Sequence, residues 1–265
     1  MPQANCNICG GTGWRIVEKD GVSGAERCDC AASTRMERLE SNAGIPPNYA
    51  NASLENFKLP DDNPIARTAL AHVMLSVKTF VREFPAEKRP GLLLIGETGT
   101  GKTHLATAAL RLLISRGFEG IFFDYQMLLE RIRSGYDATL QASSREAYRS
   151  ALDTEVLLLD DLGAHRVTDW VEDTVTQIIT HRCNNRKPLI ATTNLPDPEV
   201  GDAVIERDTG LTQKTYAKVT LAERIGARAR SRLFEMCRVI RMPSVEDYRL
   251  RRLGKPTSEP MRPTP

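Results

Sequence analysis

The chain has 265 residues, 41% hydrophobic and 26% charged, a balance ordinary for a globular protein that can bury a sizeable core. Its longest aliphatic runs, Leu92-Leu93-Leu94-Ile95 and Val156-Leu157-Leu158-Leu159, are strand-sized and exclude a membrane-spanning helix. The N-terminus lacks a signal-peptide pattern, so a cytoplasmic protein without a membrane partner is expected.

Residues 1–42 read as a small head. Four of the six cysteines lie here, as Cys6-x-x-Cys9, eighteen intervening residues, and Cys28-x-Cys30, whereas Cys183 and Cys237 are isolated. In a cytosolic chain such clustering points to metal rather than disulfides, and four thiolates suit a closed tetrahedral Zn2+ site. Gly10-Gly11-Thr12-Gly13 resembles a zinc-knuckle turn, although the second cysteine pair is one residue short of the usual spacing; unligated thiols are the alternative. The alternation Trp14-Arg15-Ile16-Val17-Glu18 predicts a short strand between the pairs. Ser33 is expected to cap a short helix ending near Ala43-Gly44, and Ile45-Pro46-Pro47-Asn48-Tyr49 an extended linker within residues 43–51.

From residue 52 to 254 helical and apolar strand patterns alternate. Helices are predicted over Ala66–Phe84, Lys102–Ser115 (stopped by Gly117), Trp170–Asn184 and Leu221–Glu235. Strands are predicted over Gly91–Ile95, Ile121–Phe123, Val156–Leu159, Leu189–Thr192 and Arg238–Met242. Strands apolar on both faces and alternating with helices imply an α/β domain, a central parallel sheet flanked by helices. Residues 255–265 are proline-rich and expected to be disordered. The net charge of +2 is uneven, because Leu221–Arg252 holds nine arginines against four acids. That segment is either a solvated basic helix or a surface that meets phosphate.

Gly96-Glu97-Thr98-Gly99-Thr100-Gly101-Lys102-Thr103 fits the P-loop pattern at every fixed position, between a predicted strand and a predicted helix. Its backbone amides would cradle the phosphates of ATP, Lys102 would reach the β- and γ-phosphates, and the Thr103 hydroxyl would ligate Mg2+. Asp160-Asp161 follows the apolar run Val156–Leu159, placing two carboxylates beside the phosphates. Asp160 would hold the Mg2+ shell, and Asp161 would orient or deprotonate the attacking water. Aspartate here, where glutamate is usual, suggests slow or partner-dependent hydrolysis. Asn194, at the end of Leu189-Ile190-Ala191-Thr192-Thr193, would position that water. The four histidines, His72, His104, His165 and His181, are dispersed and read as structural.

The P-loop, Asp160-Asp161-Leu162-Gly163, Thr193-Asn194, Ser231-Arg232-Leu233 and Asp247-Tyr248-Arg249 together resemble the DnaC/DnaI/IstB group of AAA+ ATPases over about residues 45–254. The cysteine head ahead of Ile-Pro-Pro-x-Tyr resembles helicase loaders more than IstB. The resemblance implies that Arg232 is an arginine finger reaching ATP in a neighbouring subunit and Arg249 a sensor arginine acting in its own. Arg228 matches a second interface arginine, with the register of Arg228-x-Arg230-x-Arg232 open by one step. It further implies self-association through the ATP site, single-stranded DNA and the replicative DNA helicase as partners, and ATP-dependent helicase loading. The alternatives are an IstB-type transposition helper acting on duplex DNA and a nucleotide-gated adaptor that does not hydrolyse. A DnaA-type initiator is disfavoured, since thirteen residues after Arg252 are too few for a helix-turn-helix domain.

Overall fold

The cysteine-rich head is built around a hairpin, β1 (Trp14–Lys19) and β2 (Val22–Arg27), paired antiparallel with Trp14 opposite Arg27 and Ile16 opposite Ala25. The computed structural model describes residues 6–19, 21–86, 88–134, 141–201, 205–207 and 215–249, so the segment expected to be disordered lies outside the described residues. The β2 strand has no counterpart in the sequence reading: Val-Ser-Gly-Ala-Glu-Arg does not alternate, and every residue of it is exposed. The following helix, α1 (Asp29–Asn42), takes Cys28 as its N-cap rather than Ser33. The second cysteine pair thus turns directly into the first helical turn, which moves the start forward.

The stretch expected to be an extended linker is instead laid down on the body. Ala43 is fully buried, its carbonyl accepts a 2.7 Å hydrogen bond from the Phe122 amide, and Gly44 turns the chain at φ 65°. Pro47–Tyr49 closes a 3-10 turn. Arg111 donates to Glu40 at 2.9 Å, tying the end of α1 to the same body.

Helix α2 (Pro64–Glu83) starts where Asn63 accepts from the Ala66 amide at 3.0 Å and Pro64 fills the first turn. It buries Leu70, Val73, Val77 and Phe80 along one stripe. Then come β3 (Gly91–Ile95), α3 (Lys102–Ser115), β4 (Gly120–Asp124), α4 (Tyr125–Arg133), α5 (Gln141–Asp153) and β5 (Val156–Asp160). After these follow α6 (Asp169–Asn184), β6 (Leu189–Thr193), β7 (Ile205–Arg207), β8 (Thr215–Ala217), α7 (Leu221–Ile225), α8 (Ala227–Met236) and β9 (Cys237–Arg241). Periodicity did not reveal α4, α5 or the β7–β8 hairpin.

The main sheet is wholly parallel in the order β4-β5-β6-β3-β9. Side chains alternate between its two faces: Leu92 and Leu94 join α2 and α3 in one core, while Leu93 and Ile95 join α6 and α8 in the other. The expected last helix is in fact two, α7 and α8, broken at Gly226 (φ 83°, ψ 148°), where a side-chain carbon would sit 2.4 Å from the Glu172 carboxylate. Among the described residues no helix is long and apolar enough to cross a membrane.

Candidate functional site

The P-loop leaves the carboxyl end of β3 and curls before α3. Gly99 and Gly101 adopt φ 77° and 93°, a region open to glycine at no steric cost. Space demands glycine too: a side-chain carbon would lie 2.0 Å from the Asp247 carboxyl carbon at Gly99, and 2.5 Å from the Phe57 ring at Gly101. The Thr100 hydroxyl and Lys102 Nζ both donate to the Glu97 carbonyl, at 2.8 and 2.7 Å, so the lysine arches back over the loop. No side chain caps the N-terminus of α3, leaving its first-turn amides directed into the loop. That is the donor set a phosphate chain needs.

Facing the loop is the end of β5. Lys102 is buried, which lowers its pKa, while the carboxylates of Asp161 and Asp160 pull it back up. Burial raises the pKa of Asp160, opposed by hydrogen bonds from Thr192 and Thr103. The Thr192 hydroxyl donates to Asp160 Oδ1 at 2.6 Å and accepts from the Asp161 amide at 2.9 Å. One residue of β6 therefore holds both acids. Asp161 itself sits at φ 57°, an uncommon conformation for a residue with a side chain and one that aspartate tolerates better than most. With the Thr103 hydroxyl against the Asp160 carboxylate, the pair fits Mg2+, which takes few protein oxygens and keeps waters.

The P-loop lies between two hollows. One brings Asn194 together with Gly96, Glu97, Met242 and Ser244. The other is lined by Phe57, His104, Tyr248, Thr100 and Gly101, with the Phe57 and His104 rings 5.5 Å apart. His104 is also anchored to the Ser53 carbonyl at 2.8 Å. The segment after β9 straps the loop: the Tyr248 amide donates to the Gly99 carbonyl at 3.1 Å, and Asp247 accepts from the Arg249 amide at 2.8 Å. Arg249 lies close enough to Lys102 to depress its pKa. Arg232 is not brought to this site; it pairs with Glu235 at 2.7 Å beside Cys183 and stays exposed, as does Arg228. The basic closing segment is divided among separate contacts, Arg224 to the His165 carbonyl, Arg230 to Asp197 and Arg238 to Glu83, rather than gathered into one patch.

The sequence reading gave no role to Thr192, Phe57, Asp247 or Tyr248, although Asp247 and Tyr248 stand in the motif that ends at Arg249. Thr192 carried a signal of its own, as a polar residue inside a buried strand. Phe57 is brought in by long-range packing alone.

The four head cysteines converge as expected. Cys6 and Cys28 sulfurs are 3.7 Å apart, Cys9 and Cys30 3.4 Å, and all four lie within 4.8 Å of one another. Zinc–thiolate bonds of about 2.3 Å give sulfur–sulfur edges of about 3.8 Å in a tetrahedron, so the cluster fits such an ion. Burial pushes the Cys9 thiol up, but the Gly13 amide, Cys30 and the Gly11 amide outweigh it and bring it down to about 6. The Gly13 amide donates to Cys9 Sγ at 3.3 Å, the turn geometry anticipated from the glycines.

Residues 72–246 match the family described as IstB-like ATP binding protein. Among curated relatives, the uncharacterised protein YqaM of Bacillus subtilis is 27% identical over 184 residues, which span 67% of this chain and 57% of that protein. The replicative helicase loader DnaC of Buchnera aphidicola (Schizaphis graminum) is 24% identical over 177 residues, 65% of this chain and 69% of the relative. A crystal structure of the DnaC helicase loader superposes with a TM-score of 0.58 at 28% identity, covering 75% of this chain and all of that one. DnaI, at 23% identity and a TM-score of 0.56 over 78% of this chain and 98% of its own, shares the fold. Motifs, sheet order and these likenesses agree: the chain belongs to the IstB-like ATP-binding family, with the AAA+ fold of DnaC and DnaI.

Proposed function

We propose that the chain is an ATP-dependent loader that places the replicative helicase on single-stranded DNA. The observation that carries the reading is the convergence of the P-loop, Lys102, Thr103, Asp160 and Asp161 at one end of the sheet of a chain similar to DnaC. The Gly96–Thr103 amides and Lys102 hold the phosphates, and Thr103 with Asp160 holds Mg2+, which offsets charge on the phosphate oxygens. The aromatic hollow of Phe57, His104 and Tyr248 receives the adenine. Asp161, together with Asn194, orients the attacking water and accepts its proton as ADP and phosphate form. Arg249 acts on the nucleotide of its own chain. Arg232, facing outward, completes the site of a neighbour and makes turnover depend on self-association. The cysteine head, holding Zn2+, grips the helicase, and basic residues of the body contact DNA phosphates with salt-sensitive affinity. The cysteine head and the DnaC relatives favour this reading over a transposition helper.

The test is to incubate the full chain with the replicative helicase of its own genome and circular single-stranded DNA. ATP-dependent transfer of helicase to the circle, lost in Lys102→Ala, is expected. A chain that ignores the helicase but stimulates a transposase on duplex DNA defeats the proposal.

A further inference from the structure

Helix α8 carries arginines at 228, 230 and 232. Helical residues four apart share a face, and the one between them points roughly the opposite way. The side chain of Arg230 is 15% exposed, that of Arg232 45%. Arg230 Nε and Nη2 donate to the two carboxylate oxygens of Asp197, both at 2.6 Å, and Nη1 donates to Glu199 at 3.1 Å. Its guanidinium lies 4.4 Å from the Phe234 ring centre. Asp197 is fully buried.

Asp197 stands three residues beyond Asn194, and the chain between them is pinned. The Leu195 amide donates to the Thr193 hydroxyl at 3.2 Å, that hydroxyl donates to the Leu162 carbonyl at 2.8 Å, and the Pro196 carbonyl accepts from the Leu221 amide at 3.1 Å. A displacement at Asn194 therefore has a short, stiff route to Asp197. A two-point arginine–carboxylate fork fixes orientation as well as distance, unlike a single ammonium contact.

We propose that the Asp197–Arg230 pair is a positioning link through which occupancy beside Asn194 sets the position of α8, and with it the reach of Arg228 and Arg232 towards a neighbouring chain. The link rests on the reading of Asn194 as a residue that positions the attacking water and of Arg232 as a finger in trans. It also settles the register among the three arginines: Arg230 is the inward anchor, and Arg228 and Arg232 form the outward pair. Arg230 touches no substrate.

Glue alone would lose only stability when the pair is cut, whereas a link loses the response of α8 to nucleotide. Hydrogen exchange separates the two, read on residues 96–105 and 227–236 of full-length protein, kept dilute enough to be monomeric, with and without Mg2+ and a non-hydrolysable ATP analogue. In the wild type both segments should slow, α8 by roughly fivefold or more, the size of an ordinary coupling between sites. In Asp197→Asn and in the milder Arg230→Lys, the P-loop segment should still slow while α8 no longer responds. Glu199→Gln leaves the fork intact and should respond as wild type. Equal slowing of α8 in the fork variants overturns the proposal, whatever has happened to their melting temperature. So does a wild type in which the P-loop responds and α8 does not. A wild-type P-loop that fails to slow overturns instead the nucleotide-site reading on which the link depends.

Discussion

Replacing Asp160 by asparagine should stabilise the nucleotide-free protein while abolishing turnover. The carboxyl group is buried against the end of β5, with Asp161 and Asp124 adding like charge, so its folded pKa lies above the 3.8 of an unperturbed carboxyl. A raised carboxyl pKa means that the folded state binds the proton more tightly than the unfolded state does. Its stabilising effect is full below 3.8 and is lost as pH rises through the folded value, so at neutral pH the ionised group is a net cost. Asparagine keeps an oxygen to accept from Thr192 and Thr103 but carries no charge. The gain should be about 0.5–2 kcal/mol, the usual yield of relieving a functional site. At roughly 2–4 °C per kcal/mol for a chain of this size, that raises the melting temperature by about 1–8 °C. Differential scanning fluorimetry at pH 7.5, repeated down to pH 4.5, should show the advantage shrinking as pH falls. Mg2+ with ATP should then stabilise the wild type more than the variant. A variant melting at or below wild type at pH 7.5, or an advantage independent of pH, refutes the reasoning.

Freshly reduced protein should carry about one zinc per chain, and Cys6→Ser should release it while ATP binding by the body persists; metal analysis and a fluorescent ATP analogue report the two. Arg182→Met should cost about 3–5 kcal/mol, because a fully buried guanidinium donates to the carbonyls of Ala151, Leu152, Thr154, Glu155 and Pro188. Nucleotide affinity at a temperature where the variant is folded should be unchanged, since these contacts lie at the end of the sheet away from the P-loop. Neither Lys102→Ala nor Arg232→Ala protein should turn over ATP on its own. Their mixture should recover part of the activity, unless Arg232 acts within its own chain.

What the sequence made legible follows from how local each feature is. Helix α3 was placed residue for residue, because the P-loop glycines fix its start and Gly117, at φ 93°, its end. The five core strands were found with ends off by at most one residue; in β3, β5 and β6 burial on both faces leaves an apolar run, and the edge strands β4 and β9 keep a shorter one. The β2 strand was missed for the opposite reason: exposed on both faces, it has no period to display, unlike its partner β1. The break at Gly226 was hidden because amphipathicity runs through it; what requires glycine there is its positive φ and the closeness of Glu172 on another helix. Arg182 shows the limit most clearly. Nothing near it in sequence distinguishes it from a solvated arginine, and its five carbonyl partners come from the ends of α5, β5 and β6.

The charges around the loop set what a neighbouring chain would have to add. Asp160, Asp161 and Asp247 all act on Lys102, and the one cation among its largest influences is Arg249. A triphosphate brings about four further negative charges, of which Mg2+ offsets two. The acids are tied into the site: Asp160 accepts from Thr103, the Asp161 amide is held by Thr192, and Asp247 steadies the strap that carries Arg249. Around Lys102 itself acids therefore outnumber cations, whereas Lys218 and Arg241 line the hollow that holds Asn194 beside the P-loop; an arginine from a neighbour would add to these where charge develops during hydrolysis. Arg228 and Arg232 stand exposed on α8, Arg232 paired with Glu235 rather than with its own P-loop, and both are open to a second copy. An acid-rich loop in one place and exposed arginines in another are complementary between two copies. On this account, assembly and catalysis are one electrostatic problem, and turnover should rise more steeply than linearly with protein concentration.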